Sequence, residues 1–198
     1  MLMKKIITFI FLIITICSTS VFAFEKKAET FVLETTKNAK SIILDSSLNE
    51  NQKRTKLEKL ALDAVDVAGL ARYTLGEEAK NLSDKQISEF VSTFKIFFSK
   101  NISHKLKDYS DQDVKVIGSK KISENYVLVD SKIVSTKDKQ EISVEWRVFL
   151  IDNKLIIRDL VVEGLSLAKT QREEFSSIIA NKGFAALIQI LKEYISKN

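Results

Sequence analysis

The clearest hydrophobic pattern in the chain is a stripe of apolar residues at three- and four-residue intervals between Ser83 and Lys107. This interval places the residues on one face of a helix. Ser83 and Gln86 have the spacing of a capping box, which starts helices. The stripe consists of Ile87, Phe90, Val91, Phe94, Phe97, Phe98, Ile102 and Leu106. We therefore predict one long phenylalanine-rich helix from Ser83 to Lys107.

Helical periodicity also marks the regions on either side of this stripe. One predicted helix begins near Phe24. A second begins near Asn51 and passes into a short helical segment that ends at Gly76, where glycine suits a helix end. The helical period returns after Gly164 and continues in a last helix beyond Gly183.

Between the two helical regions the apolar period changes to two, which is typical of strands. The third segment alternates almost without error, with Val144, Trp146 and Val148 on one face and Glu145 and Arg147 on the other. Short polar junctions separate the segments, as in an antiparallel meander. The four predicted strands are Val114–Ile122, Tyr126–Ser135, Glu141–Ile151 and Lys154–Glu163.

The order of helices, then a sheet, then helices indicates an α+β fold. We predict N-terminal helices and the long phenylalanine-rich helix packed on a curved four-stranded antiparallel meander, with C-terminal helices. The expected shape is a cone with an NTF2-like appearance, and such cones often enclose a pocket. Periodicity alone favours ordinary core packing for Phe94, Phe97, Phe98 and Trp146.

The N-terminus has the organisation of an export signal. Lys4 and Lys5 precede an uncharged apolar run, and Val21 and Ala23 are small residues in the positions that signal peptidase requires. We predict a signal peptide over residues 1–23, cleaved after Ala23, and a single domain over residues 24–198 in the periplasm. An uncleaved anchor is the alternative, but the strongly apolar part is shorter than the roughly 20 residues that span a bilayer.

Composition narrows the possible partners. The chain has 31 basic and 26 acidic residues, and loss of the two leader lysines leaves 29 basic residues and a net charge of +3. No basic cluster with interleaved aromatic residues is present, so we predict no nucleic-acid binding. Cys17 is the only cysteine and lies in the leader, so the mature domain can form no disulfide. This is ordinary for a bacterial periplasmic domain with a sufficient core.

Residues suited to catalysis or metal binding are sparse in the sequence. His104 is the only histidine, and the sequence contains no His/Cys metal set. Gly164-Leu165-Ser166 lacks the second glycine of a nucleophile elbow. We therefore predict no enzyme activity, cofactor or metal. The alternative is a small exported isomerase or hydrolase that uses Asp159 or His104 in a conical pocket, and a third hypothesis is an adaptor with a filled core and no ligand.

Three stretches of the sequence together resemble one family. RDLVVEGLSLAKTQREEF follows the family order of Asp, an apolar run, Glu-Gly-x-Ser, Arg and Phe. DVAGLARYTLG and the phenylalanine-rich FKIFFSKNISHKLKDYS are similar to two further family segments. The chain thus resembles the MlaC-type periplasmic phospholipid-binding proteins, also called the toluene-tolerance auxiliary family, over essentially its whole mature length. It departs from the family at Lys80 and in KLIIRD, where the family is richer in aromatic residues.

The resemblance implies a shuttle that sheathes the acyl tails of a phospholipid between helices and sheet. The implied partners are an inner-membrane ABC transporter with an MCE-domain protein and an outer-membrane lipoprotein–porin complex. We expect a monomer, with the bound phospholipid as cargo and no cofactor. The predicted lipid-binding residues, chosen by periodicity, are Phe94, Phe97, Phe98, Leu106, Tyr109, Leu128, Val144, Trp146, Val148 and Ile157.

The segment Glu163-Gly164-Leu165-Ser166 has a structural interpretation under this resemblance. Our hypothesis is a strand-to-helix corner in which Gly164 supplies an unusual backbone angle or a close approach. Ser166 or Thr170 would then cap the helix that follows.

Overall fold

The structure of the protein is a computed structural model that describes residues 2–106, 109–137 and 139–197, with side chains from residue 23 onward. The described helices are α1 Leu2–Leu44, α2 Glu50–Ala64, α3 Val67–Leu75, a short 3-10 helix Gly76–Asn81, α4 Asp84–Leu106, α5 Leu167–Lys182 and α6 Phe184–Lys197. The described strands are β1 Gln112–Ser123, β2 Tyr126–Ser135, β3 Glu141–Ile151, β4 Lys154–Val162 and β5 Leu165–Ser166. The predicted α+β class and element order are confirmed.

The sheet is an antiparallel meander in the order β1-β2-β3-β4-β5. Asp152 and Asn153 join β3 to β4 with φ angles of 47° and 62°. Positive φ at both loop residues is what a type I′ hairpin turn requires, and its twist matches that of the strands. The four long strands agree with the prediction, whereas the two-residue strand β5 has no hydrophobic pattern of its own and was not predicted.

The helix boundaries follow local capping chemistry. Asn49 and Gln52 form a reciprocal capping box at the start of α2. The helical region that follows is interrupted at Val65, because Asp66 begins α3 by accepting a hydrogen bond from the Gly69 amide at 2.9 Å. At α4, the predicted pairing of Ser83 with Gln86 is present: the Ser83 amide donates to Gln86 Oε1 at 3.0 Å.

Two separate apolar clusters hold the fold together. The sheet core joins the inner face of the sheet to α1 and consists of Ala28, Val32, Ala64, Val127, Val129, Val144, Trp146, Val148 and Ile157. The helical core joins α3, α4, α5 and α6 and consists of Val67, Ala71, Leu75, Phe90, Phe94, Phe175, Leu187, Ile188 and Leu191. The ring of Phe90 is fully buried and lies 5.9 Å from that of Phe175 in an edge-to-face arrangement, which is a favoured geometry for aromatic pairs.

This division explains how helices and sheet are layered. Helix α1 packs on β1 and β2, whereas the phenylalanine-rich α4 packs mainly on α2, α3 and α6. Helix α1 therefore covers β1 and β2. Helix α4 faces β3 and β4, and an open space separates it from these two strands.

The predicted leader stays a prediction. Helix α1 begins within it, and the side chains of residues 2–22 lie outside the described part of the chain. Across the residues that the structure describes, no helix combines the length and apolar character needed to cross a membrane.

Candidate binding pocket

A cavity of about 430 Å³ lies between the sheet core and the helical core. Its walls come from α1, α2, α3, α4, β3, β4 and α5. Phe94 belongs to the helical core and Trp146 and Ile157 to the sheet core, and all three also line the cavity. The cavity is therefore the place where the two cores fail to meet, rather than a groove on the surface.

The size of this space distinguishes it from a packing defect. Protein interiors hold few voids larger than a water molecule, whereas ligand sites usually measure roughly 300–1,000 Å³. The cavity of about 430 Å³ falls within this range and opens to solvent beside exposed residues such as Lys105 and Thr170. It is consequently better explained as a candidate binding site than as a packing defect.

The walls are mostly apolar, and the hydroxyl groups of Thr36 and Thr74 among them are already paired. Thr74 is fully buried and its hydroxyl donates to the Ala71 carbonyl at 2.8 Å. The Thr36 hydroxyl donates to the Val32 carbonyl at 2.9 Å. Because these donors are satisfied within their own helices, the wall offers few polar groups to a ligand. An apolar ligand therefore fits the cavity better than a polar one.

Several polar side chains of the lining are solvent-exposed. They are Lys105, Arg158, Thr170 and Glu174. The Arg158 guanidinium lies 3.0 Å from the Asp66 carboxylate and 4.9 Å from the centre of the Phe149 ring. These exposed residues give the cavity a polar opening while most of its lining is apolar, an arrangement suited to an amphipathic ligand.

Six of the ten residues predicted from periodicity line this one cavity. They are Phe94, Phe97, Phe98, Leu106, Trp146 and Ile157. The structure therefore brings together α4 and the inner face of β3 and β4, as the facing stripes indicated. Whether these side chains contact a lipid stays a proposal.

The other four predicted residues lie elsewhere. Val144 and Val148 are buried in the sheet core and do not line the cavity. Tyr109 follows α4, is 39% exposed and is also outside the lining. Leu128 lies on the outer face of the sheet, because its neighbours Val127 and Val129 are fully buried on the inner face.

Sequence reasoning missed the part of the lining that comes from α1 and α2. Ala39 of α1 and Leu60, Ala61 and Ala64 of α2 line the cavity. All four lie at helical spacing from other apolar residues of the same helices. The signal was therefore present, but small side chains such as alanine do not mark a cavity in a sequence.

The Glu-Gly-x-Ser segment forms a turn and a helix cap beside this cavity. Glu163 and Gly164 have φ angles of 48° and 81° and join β4 to β5 as a two-residue hairpin. Ser166 then caps α5, its Oγ accepting the Lys169 amide hydrogen at 3.0 Å. The corner hypothesis is confirmed, and the backbone angle is its cause, since a Cβ on Gly164 would meet nothing within 4 Å.

The Asp159 carboxylate fixes this corner from the neighbouring strand. It accepts hydrogen bonds from Ser166 Oγ at 2.6 Å and from the Ala168 amide at 2.9 Å. Arg147 Nη1 lies 3.2 Å away, and the Asp159 side chain is only 7% exposed. All of these contacts hold the start of α5 against β3 and β4. The geometry is that of a structural carboxylate.

The two residues of the alternative enzyme hypothesis do not share a site. Asp159 lines the main cavity, whereas His104 is exposed and lines a separate cavity of about 190 Å³ together with Lys53, Arg54 and Lys100. Within the described part of the chain, no group of three or more His, Cys, Asp or Glu side chains is placed to hold a metal ion.

Comparison with known proteins identifies a similar fold and a family. A solved structure from Ralstonia solanacearum, that of a phospholipid-binding protein in complex with a phospholipid, is similar with a TM-score of 0.72 at 17% sequence identity. The alignment covers 86% of this chain and 97% of that chain. No curated protein matches the chain in sequence. The family model described as MlaC protein matches residues 32–193, which is most of the chain. The chain therefore belongs to the MlaC family.

Proposed function

We propose that this protein binds a diacyl phospholipid with its acyl tails in the main cavity and its headgroup at the polar opening. The observation that carries the proposal is the large apolar space left between the two cores. Family membership and the phospholipid complex of the similar Ralstonia solanacearum protein support the choice of ligand.

The energetics of acyl chains explain why such a carrier needs an enclosed cavity. Two tails with roughly 30 methylene groups, at about 0.8 kcal/mol each, would cost on the order of 20 kcal/mol to expose to water. A bilayer and an apolar cavity solvate the tails about equally well, so transfer between them is close to neutral and reversible. The reaction therefore requires neither a nucleophile nor a metal.

We propose further that the protein is exported, loses its leader after Ala23 and works in the periplasm as a monomeric shuttle. Its proposed partners are an inner-membrane ABC transporter with an MCE-domain protein and an outer-membrane lipoprotein–porin complex. This part of the proposal rests on membership of the MlaC family. It is consistent with a cavity that encloses the tails, because a shuttle has to shield them between two membranes.

Native mass spectrometry of the mature protein, beginning at Phe24, tests the proposal. We expect a stoichiometric adduct that organic extraction identifies as a diacyl phospholipid. Ala39→Trp places a large side chain in the cavity wall and should lower the occupancy at least fivefold, while Ala185→Trp, at an exposed position of α6 outside the lining, should leave it unchanged. An apo mass that persists after incubation with lipid vesicles would show that the proposal is wrong.

The shuttle role needs its own measurement, because a protein can bind lipid without transferring it. Donor vesicles with labelled phospholipid and unlabelled acceptor vesicles are incubated with the mature protein. We expect transfer that increases with protein concentration and that Ala39→Trp abolishes. Occupancy without any transfer to vesicles or to the proposed partner complexes would leave the protein as a lipid-binding module and remove the shuttle role.

A further inference from the structure

Trp146 has a position in the cavity that no other residue of the first three strands has. It is the only residue of β1, β2 and β3 in the described lining, and it also belongs to the sheet core. Its inner-face neighbours Val129, Val144 and Val148 are buried beside it in the sheet and do not line the cavity. The indole is therefore the part of the cavity wall that covers this region of the sheet core, next to Ile157 of β4.

The orientation of this indole is fixed by a buried hydroxyl. Trp146 Nε1 donates a hydrogen bond to Ser131 Oγ at 2.7 Å, and that hydroxyl donates onward to the Val144 carbonyl at 3.2 Å. Ser131 is only 3% exposed, although it occupies an inner-face position that otherwise takes valine. Turning the indole away would leave its N–H buried without a partner, which is unfavourable. The wall is therefore rigid rather than adaptable.

The inner-face residues next to Trp146 have small side chains. Val129, Val144 and Val148 are each much smaller than tryptophan, so truncating Trp146 would open new space toward the sheet core. If an acyl tail lies with its end against the indole, a longer tail has to leave its excess methylene groups nearer the solvent-exposed opening.

We propose that Trp146 limits the depth of the cavity and so determines the acyl-chain length that the protein accepts, with Ser131 as its positioning residue. This inference rests on the phospholipid binding proposed above and names the feature of the lipid that is selected. Each methylene group left unsheathed lowers the affinity about fourfold. A small change in depth is therefore sufficient to discriminate between lipids that differ only in tail length.

The test is a competition between dimyristoyl and distearoyl phosphatidylethanolamine, read as the ratio of the two adducts in native mass spectrometry. We expect the wild-type protein to favour the shorter lipid. Trp146→Ala should shift the ratio toward the longer lipid about tenfold, and Trp146→Leu should shift it less in the same direction. Ser131→Ala should also shift the ratio, because the indole is then free to turn.

Val148→Ala is the matched control, since Val148 is on the same strand and face but does not line the cavity. It should lower stability and leave the ratio within about twofold of wild type, because it creates space in the sheet core and not in the cavity. If both Trp146 variants bind lipid with the wild-type ratio, or if Val148→Ala shifts the ratio as much as they do, the inference is overturned. A wild-type protein that binds neither lipid instead overturns the proposed function itself.

Discussion

Replacement of Asp159 by alanine tests how the corner between β4 and α5 is held. Alanine removes the acceptor for Ser166 Oγ and for the Ala168 amide, and it leaves Arg147 without this carboxylate. Hydrogen bonds to a charged group contribute about 1.5–3 kcal/mol each. The ion pair adds little because the Arg147 side chain is 40% exposed. Since neighbouring contacts are not additive, we expect a loss of about 3 kcal/mol in the free energy of unfolding.

Glu145 supplies the control for this substitution. Its carboxylate lies 3.5 Å from the same arginine, but its side chain is 31% exposed and makes neither of the contacts to α5. Glu145→Ala should therefore cost less than about 1 kcal/mol. Asp159→Asn keeps one carbonyl oxygen that can accept the Ala168 amide hydrogen, so its loss should fall between the two.

Urea denaturation followed by circular dichroism measures these differences in the free energy of unfolding. If the slope of the free energy against urea concentration is unchanged, a shift of the midpoint concentration reports a change in stability. A loss of about 3 kcal/mol in a domain of this size corresponds to a melting temperature lower by roughly 6–12 °C. If Asp159→Ala lost less than about 1 kcal/mol, or no more than Glu145→Ala, the structural role of the carboxylate would be refuted.

Two further predictions concern the turn and the phenylalanine stripe. Gly164→Ala should lower the free energy of unfolding by about 1 kcal/mol, because φ is +81° there and no atom lies close enough to clash. Gly118→Ala, also without neighbours within 4 Å but outside the left-handed region, should change the urea midpoint little. Phe90→Ala should cost about 3–5 kcal/mol, since its ring is fully buried in the helical core. Phe97→Ala, at a part-buried cavity position, should lower the free energy of unfolding less than Phe90→Ala does, and it should also lower lipid occupancy in native mass spectrometry. If the two variants lost equal stability, the separation of core residues from cavity residues would be contradicted.

The elements of the fold could be predicted because each carries its own local signal. The alternation in β3 gave its inner face correctly, with Val144, Trp146 and Val148 buried and Glu145 and Arg147 not. The capping pair at α4 and the candidate cap Ser166 at α5 gave helix starts for a similarly local reason, since a short polar side chain satisfies backbone amides a few residues away. Thr170, the other candidate cap, lies inside α5.

The inner face of β2 shows where such signals fail. Val127, Leu128 and Val129 are consecutive apolar residues, so no alternation marks which of them turns inward. The structure buries Ser131 on the inner face, where it pairs with the Trp146 indole, and leaves Leu128 on the other face. A polar residue whose partner is 15 positions away in the sequence cannot be recognised from periodicity. Leu128, predicted as a lipid-binding residue, consequently lies outside the cavity lining.

The cavity exists because certain helices and strands lie too far apart to pack against each other. The periodicity of a sequence carries no information about such distances. Phe90 and Phe97 are seven positions apart on one stripe and both rings contact Phe175, yet Phe90 is fully buried whereas Phe97 is part-buried and lines the open space. What differs is the space left beside each ring, and the sequence gives no direct sign of it. Only family resemblance indicated that part of the stripe would line a pocket.

The size of the facing side chains explains why the two cores stay apart. Opposite Phe94, Phe97 and Phe98 of α4, helices α1 and α2 present small residues such as Ala39 and Ala61 to the cavity. Larger side chains at these positions would join the two cores into one and leave no room for a ligand, which is the arrangement the adaptor hypothesis requires. A sequence under selection for stability alone would be expected to fill such a space with larger apolar side chains. Small residues that keep the space open therefore argue that the space itself is what the fold provides.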